Sequence, residues 1–159
     1  MKIDILKSYN YKPEHQIYYN QVLALTHTIG DTYPGHAQWF NDKFMPGLRN
    51  NDGRAYCFAV SGPRLTGVSL LKNTADEKKI CGLFVSPDCR RMGIASKLMQ
   101  DRIAMLRTKT PLITISNNNL EQLQPLINRF GFELSRTQAG AYRSDLVEYF
   151  YNEHYLNSK

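Results

Sequence analysis

The chain has 159 residues and a formal net charge of +6, and 42% of its residues are hydrophobic. This composition predicts one domain, residues 1–159, with a buried core, and it argues against a disordered chain. No stretch reaches the roughly 20 consecutive apolar residues of a membrane span, and the N-terminus lacks a signal-peptide pattern, so we expect a cytoplasmic protein without membrane attachment.

The N-terminal third predicts one strand and two helices. Residues 2–8 alternate between apolar and polar side chains, as in a short strand. A proline and an acidic residue at positions 13 and 14 are typical of the first turn of a helix, which we expect to run to about His27. Gly30 and the following loop break this pattern, and aromatic residues at helical spacing predict a second helix from His36 to Leu48.

The rest of the chain alternates between strands and helices. The predicted elements are strands at 56–60 and 65–72 joined by a tight turn, a strand at 80–85, a helix at 93–107, a strand at 112–115, a helix at 120–130, and strands at 131–136 and 141–151. The strand at 80–85 is apolar on both faces, which predicts a central, buried position. This order indicates a mixed α/β domain.

The cysteines do not form a recognisable framework. Cys57, Cys81 and Cys89 are odd in number and widely spaced, which indicates free thiols in a reducing environment. Their spacing, with four scattered histidines, does not fit a tetrahedral zinc site, so we predict no metal.

A short basic turn between a strand and a helix carries the clearest chemical signal. Arg90 and Arg91 precede Gly93 and Ala95, where the helix begins. Unpaired main-chain N–H groups at such a helix start bind phosphate oxygens, and the glycine permits a close approach. An ordinary connecting loop is the alternative. The glycine patterns of the Rossmann and P-loop sites are absent from the chain.

These residues resemble a known cofactor motif. The sequence RRMGIA at 90–95 is similar to the Arg/Gln-x-x-Gly-x-Gly/Ala motif of the GNAT superfamily of N-acetyltransferases, and VSP at 85–87 has the expected offset. The order of elements and the Gly-Phe pair at 131–132 extend the resemblance over nearly the whole chain. It implies a GNAT-like α/β fold, with a mixed, mostly antiparallel central sheet flanked by helices.

The resemblance also implies that acetyl-CoA is the co-substrate. Main-chain N–H groups from Arg91 to Ser96 would hold its pyrophosphate, and the backbone at 83–85 would bind the pantetheine arm and stabilise the oxyanion. Asn119 lies within one residue of a position where family members often carry a cofactor-contacting asparagine. The implied cofactor residues are Leu83, Phe84, Val85, Arg90, Arg91, Met92, Gly93, Ile94, Ala95, Ser96 and Asn119.

The sequence departs from the family pattern at the general acid. Many members carry a tyrosine four residues before the late glycine, where it protonates the departing thiolate, but this chain has Ile127 there. Tyr142, early in the last predicted strand, is the candidate substitute, with a packing role as the alternative.

The general base also departs from the pattern. A carboxylate on the motif strand is common in the family, whereas Cys81 occupies that region and is interpreted as a buried packing residue. The connection before the second helix offers Asp31, Tyr33 and His36 instead. His36 is the candidate because imidazole accepts a proton near neutral pH, and a structural histidine is the alternative.

Together these features predict an acyl-CoA-dependent N-acyltransferase that moves acetyl to a primary amine by direct attack. The acceptor is a small-molecule or protein amine, with nucleic acid entering only as a tRNA-linked acceptor, and the resemblance favours a homodimer. Two alternatives remain open: a coenzyme A-binding module with weak or lost catalysis, and a basic nucleic-acid-binding protein, suggested by the charge and the tyrosines.

Overall fold

One seven-stranded sheet organises the part of the chain that this computed structural model describes, residues 2–27 and 32–153. Its strands are β1 Asp4–Ser8, β2 Arg54–Ser61, β3 Arg64–Asn73, β4 Lys78–Val85, β5 Leu112–Ser116, β6 Leu134–Ala139 and β7 Val147–Tyr151. The described helices are α1 Gln16–Tyr19, α2 Val22–Leu25, α3 His36–Trp39, α4 Met45–Arg49, α5 Ile94–Leu106 and α6 Asn117–Arg129. Gly30 and Asp31 lie outside the described residues.

The strand order is β1-β2-β3-β4-β5-β7-β6, and β4 and β5 are its parallel pair. The other neighbouring strands are antiparallel, which confirms the predicted mixed, mostly antiparallel sheet flanked by helices. The β4–β5 ladder comprises Lys79 opposite Leu112 and Ile80 opposite Ile113. Beyond Ile80 the two strands separate, and this separation opens the sheet at its centre.

The prediction for the motif strand was correct in position and wrong in burial. β4 lies in the middle of the sheet, but Ile80 is its buried residue, and residues 81–85 are half-buried. Cys81 is the extra residue where the β3–β4 register shifts, between the pairs Leu70–Gly82 and Leu71–Ile80. Because β5 does not pair with β4 beyond Ile80, the apolar run lines a cleft at its free edge while its side chains also contact the two cores.

The sheet packs against helices on both faces, and β2 shows how. Ala55 and Cys57 point to a cluster with α5 and α6, whereas Tyr56 and Phe58 point to a cluster with the N-terminal helices. Because successive side chains of a strand point to opposite faces, one run of buried residues serves two cores.

The first predicted helix, residues 13–27, is broken into short turns. A 3-10 turn at Pro13–His15 precedes α1, and the regular helix is interrupted at Asn20 and Gln21 before α2 begins. The Gln21 side chain donates to the carbonyl of Pro63 and accepts from the N–H of Leu65. These bonds anchor the break to the β2–β3 hairpin, so tertiary contacts decide the local structure.

The second predicted helix, 36–48, is confirmed, with one irregularity. A π-helical turn at Phe40–Phe44 joins α3 to α4, and the N–H of Met45 donates to the carbonyl of Phe40. Pro46 follows immediately and has no N–H to donate, so the wider turn accommodates it within a continuous helical segment.

The C-terminal elements are confirmed in type but shifted in their bounds. The predicted helix at 120–130 begins earlier, at Asn117, whose side-chain oxygen accepts the N–H of Val147. The strands predicted at 131–136 and 141–151 are β6 and β7. Within the described residues, no helix has the length and apolar character to cross a membrane.

Candidate active site

A cleft of about 1580 Å³ opens where β4 and β5 separate. Every residue predicted for the cofactor site lines this cleft except Met92, which is exposed, and His36 and Tyr142 line it too. We call the part formed by residues 85–96 the motif end. The part formed by residues 33–39, the start of β4 and Tyr142 is the acceptor end.

The motif end presents main-chain donors. Arg91 and Gly93 have φ values of 69° and 77°, in the left-handed region, so the chain curls before α5 begins. The first helical bond runs from the N–H of Lys97 to the carbonyl of Gly93, 3.1 Å. The main-chain N–H groups from Arg91 to Ser96 have no acceptor within the described residues. Such a curl with a helix start forms an anion-binding concavity.

Gly93 leaves this concavity open. A Cβ built at this position would meet no heavy atom within 4 Å, so the glycine borders the free space of the cleft. Its positive φ also disfavours residues with a side chain. The residue therefore fits the role that the sequence predicted for it.

Basic side chains surround the turn. The Arg90 guanidinium lies over the Phe84 ring, 5.6 Å from its centroid, and Arg129 donates to Ser96 Oγ at 3.0 Å. The nearby carboxylate of Asp88 accepts hydrogen bonds from Arg64 at 2.6 Å and from the Ser86 hydroxyl, which hold its pKa well below its usual range. The local acid is therefore already paired, and the positive potential of the turn persists.

The middle of the cleft suits an extended, partly apolar chain with amide groups. The backbone of β4 beyond Ile80 has no strand partner on its β5 side in the described structure. Leu83 and Val85 are half-buried on this wall, and Leu123 and Leu126 of α6 face them. An added chain can hydrogen-bond to a free strand edge as another strand would.

His36 lies at the acceptor end with a defined hydrogen bond. Its Nε2 is 3.0 Å from Thr26 Oγ1, whose proton goes to the carbonyl of Val22 at 2.8 Å. Nε2 therefore donates, and Nδ1 carries the lone pair. Burial lowers the pKa of His36, which keeps the ring neutral near pH 7. A neutral imidazole with a free lone pair is the form that accepts a proton.

Two tyrosines meet beside His36. Tyr33 and Tyr142 pack edge to face with centroids 5.3 Å apart, and the Tyr33 hydroxyl donates to Glu148 Oε1 at 2.7 Å. Burial, with this carboxylate, raises the pKa of Tyr33 well above its usual value. Tyr142 is half-exposed in the cleft, and within the described chain its hydroxyl has no hydrogen-bond partner. Tyr142 is therefore the tyrosine of this pair whose hydroxyl is available to a ligand.

Glu148 is a site residue that the sequence reasoning missed. It is 3% exposed, and burial raises the pKa of its carboxyl group. It lies two positions before the buried Phe150 on β7, so both side chains point to the same face of the sheet. A charged residue at such an inward position of an alternating strand is the sequence pattern that could have identified it. Glu148 holds Tyr33 in place, and Tyr33 holds the ring of Tyr142.

The two positions that depart from the family pattern do not supply catalytic groups. Ile127 is 2% exposed within the core on the α5–α6 face of the sheet. Cys81 lines the cleft, but burial raises the pKa of its thiol, so the protonated form prevails. The Cys81 side chain is thus half-buried in the wall of the cleft, whereas the sequence predicted a fully buried packing residue.

Asn119 lies in the first turn of α6 and lines the cleft. Its side-chain amide donates to Ser116 Oγ at 3.3 Å, while Asn118 reaches Thr32 on the opposite wall. The predicted asparagine thus lies within the cleft. Over residues 2–27 and 32–153, no group of three or more His, Cys, Asp or Glu side chains is placed to hold a metal ion.

Comparisons with known proteins identify the family and the fold of this chain. Residues 36–145 match the family model described as "Acetyltransferase (GNAT) domain". No curated protein sequence matches the chain. Among solved structures, a probable acetyltransferase from Staphylococcus epidermidis ATCC 12228 is 15% identical with a TM-score of 0.70, over 94% of this chain and 97% of that chain.

Two further structures share the fold. Ard1 from Thermoplasma volcanium is 15% identical with a TM-score of 0.68, over 95% of this chain and 97% of that one. An aminoglycoside 6'-N-acetyltransferase, solved in complex with coenzyme A, is 13% identical with a TM-score of 0.65, over 95% of both chains.

Proposed function

Because the chain belongs to the GNAT acetyltransferase family, we propose that it transfers acetyl from acetyl-CoA to a primary amine. The observation that carries this proposal is the run of unpaired main-chain N–H groups from Arg91 to Ser96 beside the free edge of β4. These groups fit a diphosphate attached to an extended amide chain. The structural neighbour solved with coenzyme A supports the same cofactor.

The cofactor residues divide by chemical group. The motif turn would hold the pyrophosphate through its N–H groups, with Arg90 and Arg91 adding positive charge. The backbone at Leu83–Val85 would pair with the pantetheine amides, and Asn119 would contact the cofactor from the opposite wall of the cleft. The bound cofactor supplies an acetyl group activated as a thioester.

The remaining roles belong to the acceptor end. A main-chain N–H of β4 beyond Ile80 would stabilise the negative charge that develops on the reacting carbonyl oxygen. His36 would accept the amine proton at Nδ1, since Nε2 already donates to Thr26. Tyr142 would donate a proton to the departing thiolate, because its hydroxyl is not committed to another described group.

A second candidate function is supported by Ile127. This residue puts a core side chain where many family members have an acidic hydroxyl, so a coenzyme A-binding module with weak catalysis is the alternative. Nucleic-acid binding is less well supported, because the basic side chains of the motif end line the walls of the cleft in which we place the cofactor.

Two measurements test the proposal. Calorimetry with acetyl-CoA and with free coenzyme A measures binding, and release of free thiol with a broad panel of primary amines measures transfer. We expect binding of both ligands and thiol release with at least one amine. Binding without release from any amine would favour the binding module, and absence of binding would overturn the assignment of the motif end.

A further inference from the structure

A row of cationic side chains crosses the acceptor end of the cleft. Arg54 lies opposite Lys72 in the β2–β3 ladder, and Lys72 lies opposite Lys79 in the β3–β4 ladder. The three residues line the cleft and form one row across adjacent strands. We call them the cationic row. Like charges directly opposite one another destabilise a sheet, so the row lowers the stability of the folded protein.

The carboxylates nearby do not neutralise the whole row. Glu77 pairs with Lys72 at 3.3 Å, and Asp52 lies 3.9 Å from Arg54 Nε, beyond hydrogen-bond distance. The Arg54 side chain is 14% exposed, and its buried Nε has no hydrogen-bond partner among residues 2–27 and 32–153. Within the described structure, Lys79 makes no ion pair. Donors thus remain on this wall without an acceptor.

Lys79 connects the row to the reacting centre. It lies two residues before the bulge at Cys81, about 7 Å along the strand. Its charge lowers the pKa of both the Cys81 thiol and the Glu148 carboxyl group, against the larger effect of burial on each. Lys79 therefore lies close enough to Cys81 and Glu148 to act on both, and it shares the wall of the cleft with Cys81.

We propose that the cationic row binds an anionic group of the acceptor, so that the preferred substrate is a small primary amine that also carries a carboxylate. This inference rests on the proposed acetyl transfer and narrows its substrate class. A carboxylate would accept from Lys79 and would be attracted by the positive charge of the Arg54 guanidinium, whereas a polycationic amine would meet repulsion. Aminoglycoside-like polycations are therefore disfavoured acceptors, despite the neighbour that bears such a name.

The test compares matched acceptors that differ in one charge. α-Amino acids and their carboxamides share the amine and the side chain, and 1,3-diaminopropane adds a second cation. With acetyl-CoA saturating, we expect kcat/KM for the best acid to exceed that for its amide at least tenfold, and transfer to the diamine to be weaker than to the amide.

Variants then assign this preference to the row. Lys79→Gln should reduce the acid-to-amide preference about tenfold, mainly through KM, and Lys79→Arg should retain most of it. Lys78→Gln is the matched control, because it removes the same charge from the neighbouring β4 position, which does not line the cleft. Melting temperatures of the variants report whether each folds.

The outcomes separate the two proposals. Transfer that favours amides or diamines, or an acid preference that Lys79→Gln leaves unchanged, would overturn the role of the row while acetyl transfer stands. Bound acetyl-CoA with no transfer to any amine would overturn the proposed function and, with it, this inference.

Discussion

The two ends of the cleft present different kinds of chemical group. At the motif end the donors are main-chain N–H groups of one continuous turn, residues 91–96. At the acceptor end, apart from the β4 main chain, the candidate groups are side chains, which come from β2, β3, β4, the segment around His36 and the segment around Tyr142. Main-chain donors persist through most side-chain substitutions, whereas side-chain groups change with each one. The motif end is thus suited to a constant cofactor and the acceptor end to a specific substrate.

The largest effect should come from the acceptor end. His36→Gln removes the lone pair at Nδ1 while an amide N–H can still donate to Thr26. We expect kcat to fall about hundredfold, since general-base catalysis contributes roughly 10² or more, with the Kd for acetyl-CoA unchanged. Steady-state kinetics and calorimetry measure the two quantities.

The pH profile sharpens this test. The pKa of His36 is lowered from 6.5, so wild-type kcat should rise through a pKa below 6.5, and the variant should lose that acidic limb. Deprotonation of the acceptor amine is common to both proteins and cancels in the comparison. His27→Gln is the control, because His27 is exposed and its Nδ1 contacts the Ala24 carbonyl outside the cleft. A normal kcat for His36→Gln would assign His36 a structural role.

The next effect should come from the motif end. Gly93→Val places a branched side chain in the open concavity, and we expect the Kd for acetyl-CoA to rise about thirtyfold through loss of charge-assisted hydrogen bonds to the pyrophosphate. Gly62→Val is the matched control: Gly62 also has a positive φ with open space at its Cβ, but it lies in the β2–β3 turn. An equal loss of affinity in both variants would attribute the effect to backbone strain.

A smaller effect concerns the support of the acceptor end. The pKa of Glu148 is raised above 4.5 in the folded protein, so the native state holds its proton more tightly than the unfolded chain. Stability should therefore fall as pH rises from about 4.5 through the raised pKa. Glu148→Gln keeps an acceptor for Tyr33 and removes the buried charge.

Thermal unfolding at two pH values tests this sign. Glu148→Gln should be more stable than wild type at pH 8, with the difference shrinking at pH 4.5. Acetyl-CoA affinity should not change, because Glu148 supports the other end of the cleft. Destabilisation of the variant at pH 8 would mean that the ionised carboxylate is needed to hold Tyr33.

The smallest effect should come from a side chain at the motif end. Arg91 is exposed, so Arg91→Gln should weaken acetyl-CoA binding only about threefold at low salt, and less at high salt. Arg107→Gln is the control, because Arg107 has the same left-handed backbone at the other end of α5. A loss as large as that of Gly93→Val would show that charge, not the main chain, dominates this end.

The sequence by itself determined the fold class and the motif end. The residues of that turn are contiguous, and their conformation follows from local chemistry: a strand that stops at a proline, a glycine with positive φ and a helix start. The bounds of α5 were predicted within one residue, since its ends are set by nearby residues.

Tertiary structure decided how the side chains of the acceptor end come together. Arg54, Lys72 and Lys79 form a row only because three strands pair in one register, and Glu148 reaches Tyr33 across 115 residues of chain. The break between α1 and α2 likewise depends on Gln21 binding a distant hairpin. Such contacts join residues far apart in sequence, so no local pattern encodes them. The half-buried wall of β4 is also a tertiary feature, because it arises where β5 separates from β4 after two paired residues.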